Sequence, residues 1–282
     1  MINRASKFAL CLLALPALVV PALCLAYLLM RGLPGLDSSF FGLSTLEQSR
    51  DTASLSNQHG IFPQIMGSVL LSALACSIAM PLALGLSLHN QLYAGRRSQS
   101  LMVHVLTTFQ SIPPLVYGLC GLVVFVHLLQ WGISLAAGAI VLAMIVLPVL
   151  TLNTIHALER IPTALTDSAR SLGMSAGQII WHVWRPKAWR SLLTGLFLAI
   201  ARTLSETAPI LFTATVFSGV IWPDSLLSPV TSLQTHIFYL AQEAVDERIL
   251  AHAWSSALIL VTLVVMFSVI AHFLNRHSSG NE

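Results

Sequence analysis

The chain has 282 residues, of which 56% are hydrophobic and only 9% charged, with a formal charge of +3. Soluble domains carry roughly 25% charged residues, so this chain has too little polar surface to fold in water. Its few scattered basic residues give no footprint for a nucleic-acid partner.

A bilayer-spanning helix needs about 20 mostly apolar residues, and six such runs follow one another. The first, 8–30, follows Arg4 and Lys7 and ends at Arg31. It exceeds the roughly 7–15 apolar residues of a secretory signal, so a retained helix is expected. The second, 61–88, and third, 101–128, flank Arg96 and Arg97, and the fourth covers 133–156. No Asp, Glu, Lys or Arg lies between Asp51 and Arg96, or between Arg97 and Glu159. The fifth span is expected at about 192–219 and the sixth at 251–274. These boundaries give an all-α polytopic protein with a first span and external segment at 1–60, a five-helix core at 61–275 and a tail at 276–282.

Orientation follows from the basic residues, which favour cytoplasmic loops. Arg4, Lys7, Arg96, Arg97, Arg160, Arg170, Arg185, Lys187, Arg190 and Arg276 fall on one side, and only Arg31, Arg50 and Arg248 on the other. Both termini are therefore expected in the cytoplasm. The external segments 31–60 and 220–250 are rich in acidic residues, among them Asp37, Glu47, Asp51, Asp224, Glu243, Asp246 and Glu247, and could serve as docking surface. Prolines recur within the spans, at Pro81, Pro113, Pro114, Pro148 and Pro209. Each removes a backbone bond and is expected to kink its helix, Pro113, Pro114 and Pro209 among them, either as packing geometry alone or in a bundle whose broken helices line a path and can rearrange. The cysteines Cys11, Cys24, Cys76 and Cys120 sit in apolar runs without pairing motifs and read as small buried hydrophobes.

Between the fourth and fifth spans lies IPTALTDSARSLGMSAGQIIWHVWRPKAWRS, a long stretch of mixed polarity. Pro162 suits a helix start, Leu165, Ala169 and Leu172 repeat at helical spacing, and Gly173 is placed for a left-handed cap. A second short helix is expected from about 175 to 185, stopped by Pro186. Such an element suits a groove in a partner protein, or the lipid surface with Trp181, Trp184 and Trp189 at the interface.

The segment resembles the coupling motif of permeases of ATP-binding-cassette importers, where an acidic residue and two small ones precede a glycine, with a proline further on. The matching positions are Asp167, Ser168, Ala169, Gly173 and Pro186, with Asp167 and Ser168 departing from the usual Glu and Ala. The resemblance implies a type I importer permease fold (MetI-like). It also implies that Asp167, Ser168, Ala169, Leu172 and Gly173 engage a cytoplasmic ATPase. The chain has no GxxxxGK[ST] phosphate loop, so ATP and Mg²⁺ are expected on separate subunits and no cofactor on this one.

The fifth span, TGLFLAIARTLSETAPILFTATVFSGV, carries Arg202 and Glu206 deep in an apolar run. An arginine at the bilayer centre costs at least about 2.5–3.5 kcal/mol and usually faces a bundle interior or a water path. Positions 202, 205, 206, 209 and 213 share one helical face, so Arg202, Ser205, Glu206, Pro209 and Thr213 are expected to make a polar, kinked stripe. Either Arg202 and Glu206 merely neutralise each other, or the guanidinium fork receives a tetrahedral anion while Glu206 orients it.

AIARTLSETAPILFTA at 199–214, with FQSIPPLVYGL at 109–119 and GIFPQIMGSVLL at 60–71, resembles the A-type permeases of phosphate-specific importers over most of 60–274. What that implies is a phosphate route past Arg202, Glu206, Ser205 and Thr213 across an inner membrane. The implied partners are a second, related permease as heterodimer, two ATPase copies, an external phosphate-binding protein and membrane lipid. Many of those relatives carry an Arg and a Glu where this chain has Leu152 and Ile155, which keeps another oxyanion or a phosphonate as the alternative cargo. Classes without an ATPase are an ion-coupled carrier, against which the coupling motif speaks, and an intramembrane enzyme. The ten histidines supply no HExxH for the latter.

Overall fold

The computed structural model of the chain describes residues 4–36, 40, 60–215, 222–243 and 247–276. Among them every regular element is helical. In chain order these are α1 (Arg4–Gly32), α2 (Phe62–Leu92), α3 (Arg96–Ser111), α4 (Pro114–Gly121) with a π-helical continuation Leu122–Leu128, and α5 (Leu135–Glu159). There follow α6 (Thr163–Ser171), α7 (Ala176–Ile179) with a π-helical turn Ile180–Trp184, α8 (Arg185–Leu204), α9 (Ala208–Thr213), α10 (Leu233–Gln242) and α11 (Glu247–Arg276). Most of the external segment 31–60, with Asp37, Glu47 and Asp51, and Asp246 in the later one, lie outside the described residues.

Among the described residues, four helical stretches are long and apolar enough to cross a membrane: Leu15–Gly35, Phe62–Leu92, Leu135–Glu159 and Ile249–Arg276. The expected third span is a fifth if its two halves count as one, because α3 and the helix from Pro114 are bent by 84°. Pro114 is the cause. It stands in the first turn of α4, where a missing N–H is harmless, but it cannot donate back into α3. The prolines therefore divide into two kinds. Pro81 and Pro148 sit within continuous α2 and α5, whereas Pro113, Pro114 and Pro209 stand at full breaks rather than kinks. The expected fifth span at 192–219 is likewise no single helix: α8 stops at Leu204 and α9 restarts at Ala208.

The chain divides into two compact units. In the first, residues 1–62 with 236–261, α1 packs on the opening half of α11. The rings of Tyr27 and Trp254 meet edge to face at 5.4 Å, and Ser255 Oγ donates to the Gly32 carbonyl at 2.8 Å.

The second unit, residues 63–235 with 262–282, is organised around α5, whose apolar window is 67% buried. Its core joins Leu71, Ala75 and Ala79 of α2 to Val141, Leu142, Val146 and Leu150 of α5, with Ala199 of α8 and Ile210 of α9. Glycines set the spacing. A Cβ at Gly118 of α4 would press on the Cα of Pro209, so α4 and α9 pack backbone to backbone. At Gly195 of α8 a Cβ would find room, meeting Asn153 Cβ of α5 only at an ordinary contact distance of 3.6 Å. Of the cysteines described, Cys76 is buried, but Cys24 and Cys120 are exposed, an ordinary position for an apolar side chain on a lipid-facing surface.

Candidate functional site

The fifth predicted span breaks where its chemistry is concentrated. Pro209 cannot donate to the Ser205 carbonyl, so the α-helical ladder cannot continue through it. α8 closes on two tighter bonds, Ser205 N–H to Arg202 O at 3.0 Å and Glu206 N–H to Thr203 O at 3.2 Å. α9 starts with Pro209 in its first turn. Across the break Arg202 Nη2 donates to Glu206 Oε1 at 3.0 Å, with the arginine side chain 51% exposed and the glutamate 13%. One guanidinium nitrogen is thus engaged, and about half of the arginine side chain is open to the surface. Ser205 is also exposed, its hydroxyl bonded to the Ala201 carbonyl at 2.9 Å.

The single polar face expected for 202, 205, 206, 209 and 213 does not form. It required an unbroken helix, and the break ends the register after Ser205. Thr213 is fully buried and donates to the Pro209 carbonyl at 2.8 Å, and its methyl lies against the space that Gly121 leaves open. Pro209 is buried as well. The structure therefore brings Arg202, Glu206 and Ser205 together and sets Thr213 and Pro209 in the packing beneath them.

A residue absent from the sequence reading completes the break. Gln234, at the start of α10, donates through Nε2 to the Leu204 carbonyl at 2.7 Å and accepts from Ser68 Oγ at 2.8 Å. Ser68 Oγ in turn accepts from the Leu233 N–H at 2.8 Å. A backbone carbonyl freed inside a membrane must find a partner in the protein, and Gln234 is that partner. The surrounding segment approaches so closely that a Cβ on Gly67 would collide with the Thr231 carbonyl. Part of the expected external segment 220–250 thus folds back to the level of Leu204. The signal was present, since residues 225–242 contain no charged side chain.

The loop between α5 and α8 is a small folded module. Leu158, Ile161, Ala169, Ile179, Trp184 and Ala188 form its core, and Trp184 Nε1 donates to Thr166 Oγ1 at 3.1 Å. Gly173 has φ +80°, a conformation costly for any residue with a Cβ. Its N–H and that of Met174 reach the carbonyls of Arg170 and Ala169 at 2.9 and 3.1 Å. Ser175 then opens the next helix with a capping box to Gln178. Asp167, Ser168 and Leu172 face outward, Leu172 83% exposed, while Ala169 is buried in the module. Asp167 lies 3.9 Å from Arg170, both largely exposed, a geometry worth little in water. Pro186 does not stop the second helix. It occupies the first turn of α8, so the module runs through the π-helical turn into the helix that carries Arg202.

A multi-pass helical protein with broken spans, a charged pair at one break and a folded polar loop feeding that same helix is the architecture of an importer permease. Residues 79–279 match the family model of the binding-protein-dependent transport system inner membrane component, and the chain belongs to that family, as the membrane subunit of an ATP-binding-cassette importer. It is 30% identical over 275 residues, 97% of this chain and 92% of the relative, to the phosphate transport system permease protein PstA of Xylella fastidiosa (strain Temecula1). It is 26% identical to the probable ABC transporter permease protein YqgI of Bacillus subtilis (strain 168), covering 95% of this chain and 92% of that one. Among solved structures, a subunit of a bacterial alginate ABC transporter, crystallised with an alginate-bound periplasmic protein, superposes with a TM-score of 0.65 at 13% identity. That match covers 98% of this chain and 94% of the other, and at such identity it speaks for the fold alone.

Proposed function

We propose that this chain is one half of the membrane pathway of a phosphate importer, with both termini in the cytoplasm. A second, related permease completes the path, an external phosphate-binding protein delivers the anion, and two copies of an ATPase drive it with ATP and Mg²⁺. Leu172 and the residues around it, Asp167, Ser168, Ala169 and Gly173, form the plug that enters the ATPase.

The observation that carries this reading is Arg202. It lies about 18 Å along α8 from Arg190, yet its side chain is half exposed on the isolated chain. Facing lipid at that depth would cost several kcal/mol, so the surface around Arg202 belongs against the second half or a wet path. A guanidinium with free donors on such a surface suits a tetrahedral oxyanion. Glu206 holds it in place and weakens anion binding enough for release. The relatives named for phosphate transport support the choice of cargo.

A second reading, a permease for another oxyanion or a phosphonate, is favoured by one feature. Ile155 is buried and Leu152 is partly buried, at the two positions where the resemblance to A-type permeases implies an Arg and a Glu. Uptake of radiolabelled phosphate into proteoliposomes holding the whole complex, with ATP inside and binding protein outside, decides between them. Saturable, ATP-dependent uptake that methylphosphonate and sulfate do not displace is expected. Displacement by methylphosphonate or sulfate at lower concentrations than unlabelled phosphate requires would move the cargo to the second reading. Uptake without ATP would remove the chain's proposed coupling altogether.

A further inference from the structure

Below Arg202, on the side that the basic residues assign to the cytoplasm, a pocket of about 180 Å³ opens between α5, α8 and the end of α11. Asn153, His156, Ala157 and Arg160 of α5 face Ser191, Thr194, Gly195 and Leu198 of α8, with Asn275 of α11 at the side. Both sets repeat at i, i+3, i+4 and i+7, the spacing of one helical face.

We propose that this pocket is a second anion site, built for a phosphate group. None of its lining residues is acidic. Among the described residues, the side chains of Arg160, Asn153, Ser191 and Asn275 make no hydrogen bond or ion pair within the chain. An arginine fork, two amides and a hydroxyl, none of them bonded within the chain and all able to donate, line one space whose walls hold no carboxylate. A planar guanidinium is the side chain best matched to phosphate oxygens. At about 30 Å³ per water, the volume accommodates one tetrahedral oxyanion and part of its hydration shell.

The pocket is continuous with the Arg202 surface. Ser191, Gly195, Leu198 and Arg202 succeed one another at four-, three- and four-residue steps along α8, so Leu198 lies one turn, about 6 Å, below Arg202. Arg160 has no glutamate partner of the kind Glu206 gives Arg202, so its site holds an anion more firmly. Two sources of phosphate reach it: transported phosphate arriving at the inner mouth, and the headgroup of an anionic phospholipid, since basic pockets between membrane helices also take headgroups. The site itself does not depend on the cargo proposed above, and its test reads binding rather than uptake.

The assembled complex, without nucleotide or binding protein, is placed in nanodiscs of neutral lipid in phosphate-free buffer, and ³²P-labelled inorganic phosphate is titrated by equilibrium dialysis. The expected result is a binding component retained in Arg202→Met and weakened at least about tenfold in Arg160→Gln, with a smaller loss in Asn275→Leu. Asn275 lies exposed at the end of the last helix. That variant, with Arg160→Lys, decides if Arg160→Gln does not assemble. Should phosphate not bind but phosphatidylglycerol be retained in native mass spectra and lost in the same pocket variants, the occupant is a lipid headgroup. The proposal is overturned if neither ligand depends on Arg160 and Asn275, or if Arg202→Met abolishes the same component, which would make the two arginines one site. In either case wild-type uptake still reports separately on the cargo.

Discussion

The side-chain amide of Gln234 meets the carbonyl of Leu204 at 2.7 Å, at the point where α8 stops two residues beyond Arg202. The bond satisfies an acceptor that the helix break sets free, and through Ser68 it ties the break to α2. Gln234→Leu removes the donor and leaves two buried groups unpaired, a loss of about 1–3 kcal/mol each. The complex should unfold at lower temperature, with thermal denaturation in detergent as the measurement. Gln234→Glu, which keeps an acceptor for Ser68 but has no amide for Leu204, should do no better. An unchanged melting temperature in both would show that the carbonyl is satisfied in another way.

Arg202 separates transport chemistry from packing. Arg202→Lys keeps the charge and loses the fork, so the complex should assemble and hydrolyse ATP while phosphate uptake falls by an order of magnitude or more. Replacing both charges, Arg202→Met with Glu206→Gln, removes any penalty of an unpaired charge. If the pair only packs, uptake recovers in the double variant. The anion-route reading predicts a stable, assembled and inactive complex, measured as uptake per amount of complex.

Gly173 tests the loop module. Its φ of +80° makes Gly173→Val cost about 1–2 kcal/mol in that conformation, while open space surrounds the position, so strain rather than collision is what changes. Membrane insertion should be intact and recovery of the ATPase on affinity-purified permease reduced. Full ATPase recovery with normal uptake would remove Gly173 from the coupling plug.

The half-exposed Arg202 also predicts composition. A single chain leaves this side chain on its surface, so an active complex should contain a second permease half against it, which the reading proposed above makes a different chain. Purification of a transport-competent complex with this chain as its sole membrane subunit would contradict the heterodimer.

Much of this architecture is legible in residue pattern. The second and fourth spans, α2 and α5, fall within a few residues of their charge-free runs, and an i, i+4 spacing is enough to pair Arg202 with Glu206. Gly173 announces its backbone conformation because a cap there demands positive φ. The breaks are harder to read. A proline in an apolar run kinks a helix or ends it according to whether neighbours can take up the freed groups, which depends on residues far away in sequence. Pro148 is carried within α5, whereas the ladder ends at Pro209, and Gln234, thirty residues beyond Leu204, donates to the Leu204 carbonyl that the break also leaves open. Thr213 looked like part of a polar face for the same reason, since helical spacing holds only while the helix does.

If the loop transmits ATPase motion as proposed above, the unbroken course of α8 past Pro186 would make that helix a lever. Its foot is fastened to α6 by Trp184 and Thr166, and the neighbourhood of Asn153 and Leu150 of α5, which a Cβ on Gly195 would just touch, can serve as a pivot. From that pivot Arg185 is about 15 Å away and Arg202 about 10 Å on the opposite side, at 1.5 Å per residue. A rigid rod held in this way reverses the direction of any swing applied at its foot and delivers about two thirds of it to Arg202. A sideways thrust of about 3 Å on the loop would therefore move the guanidinium by about 2 Å the other way, comparable to the difference between a hydrogen bond made and one lost.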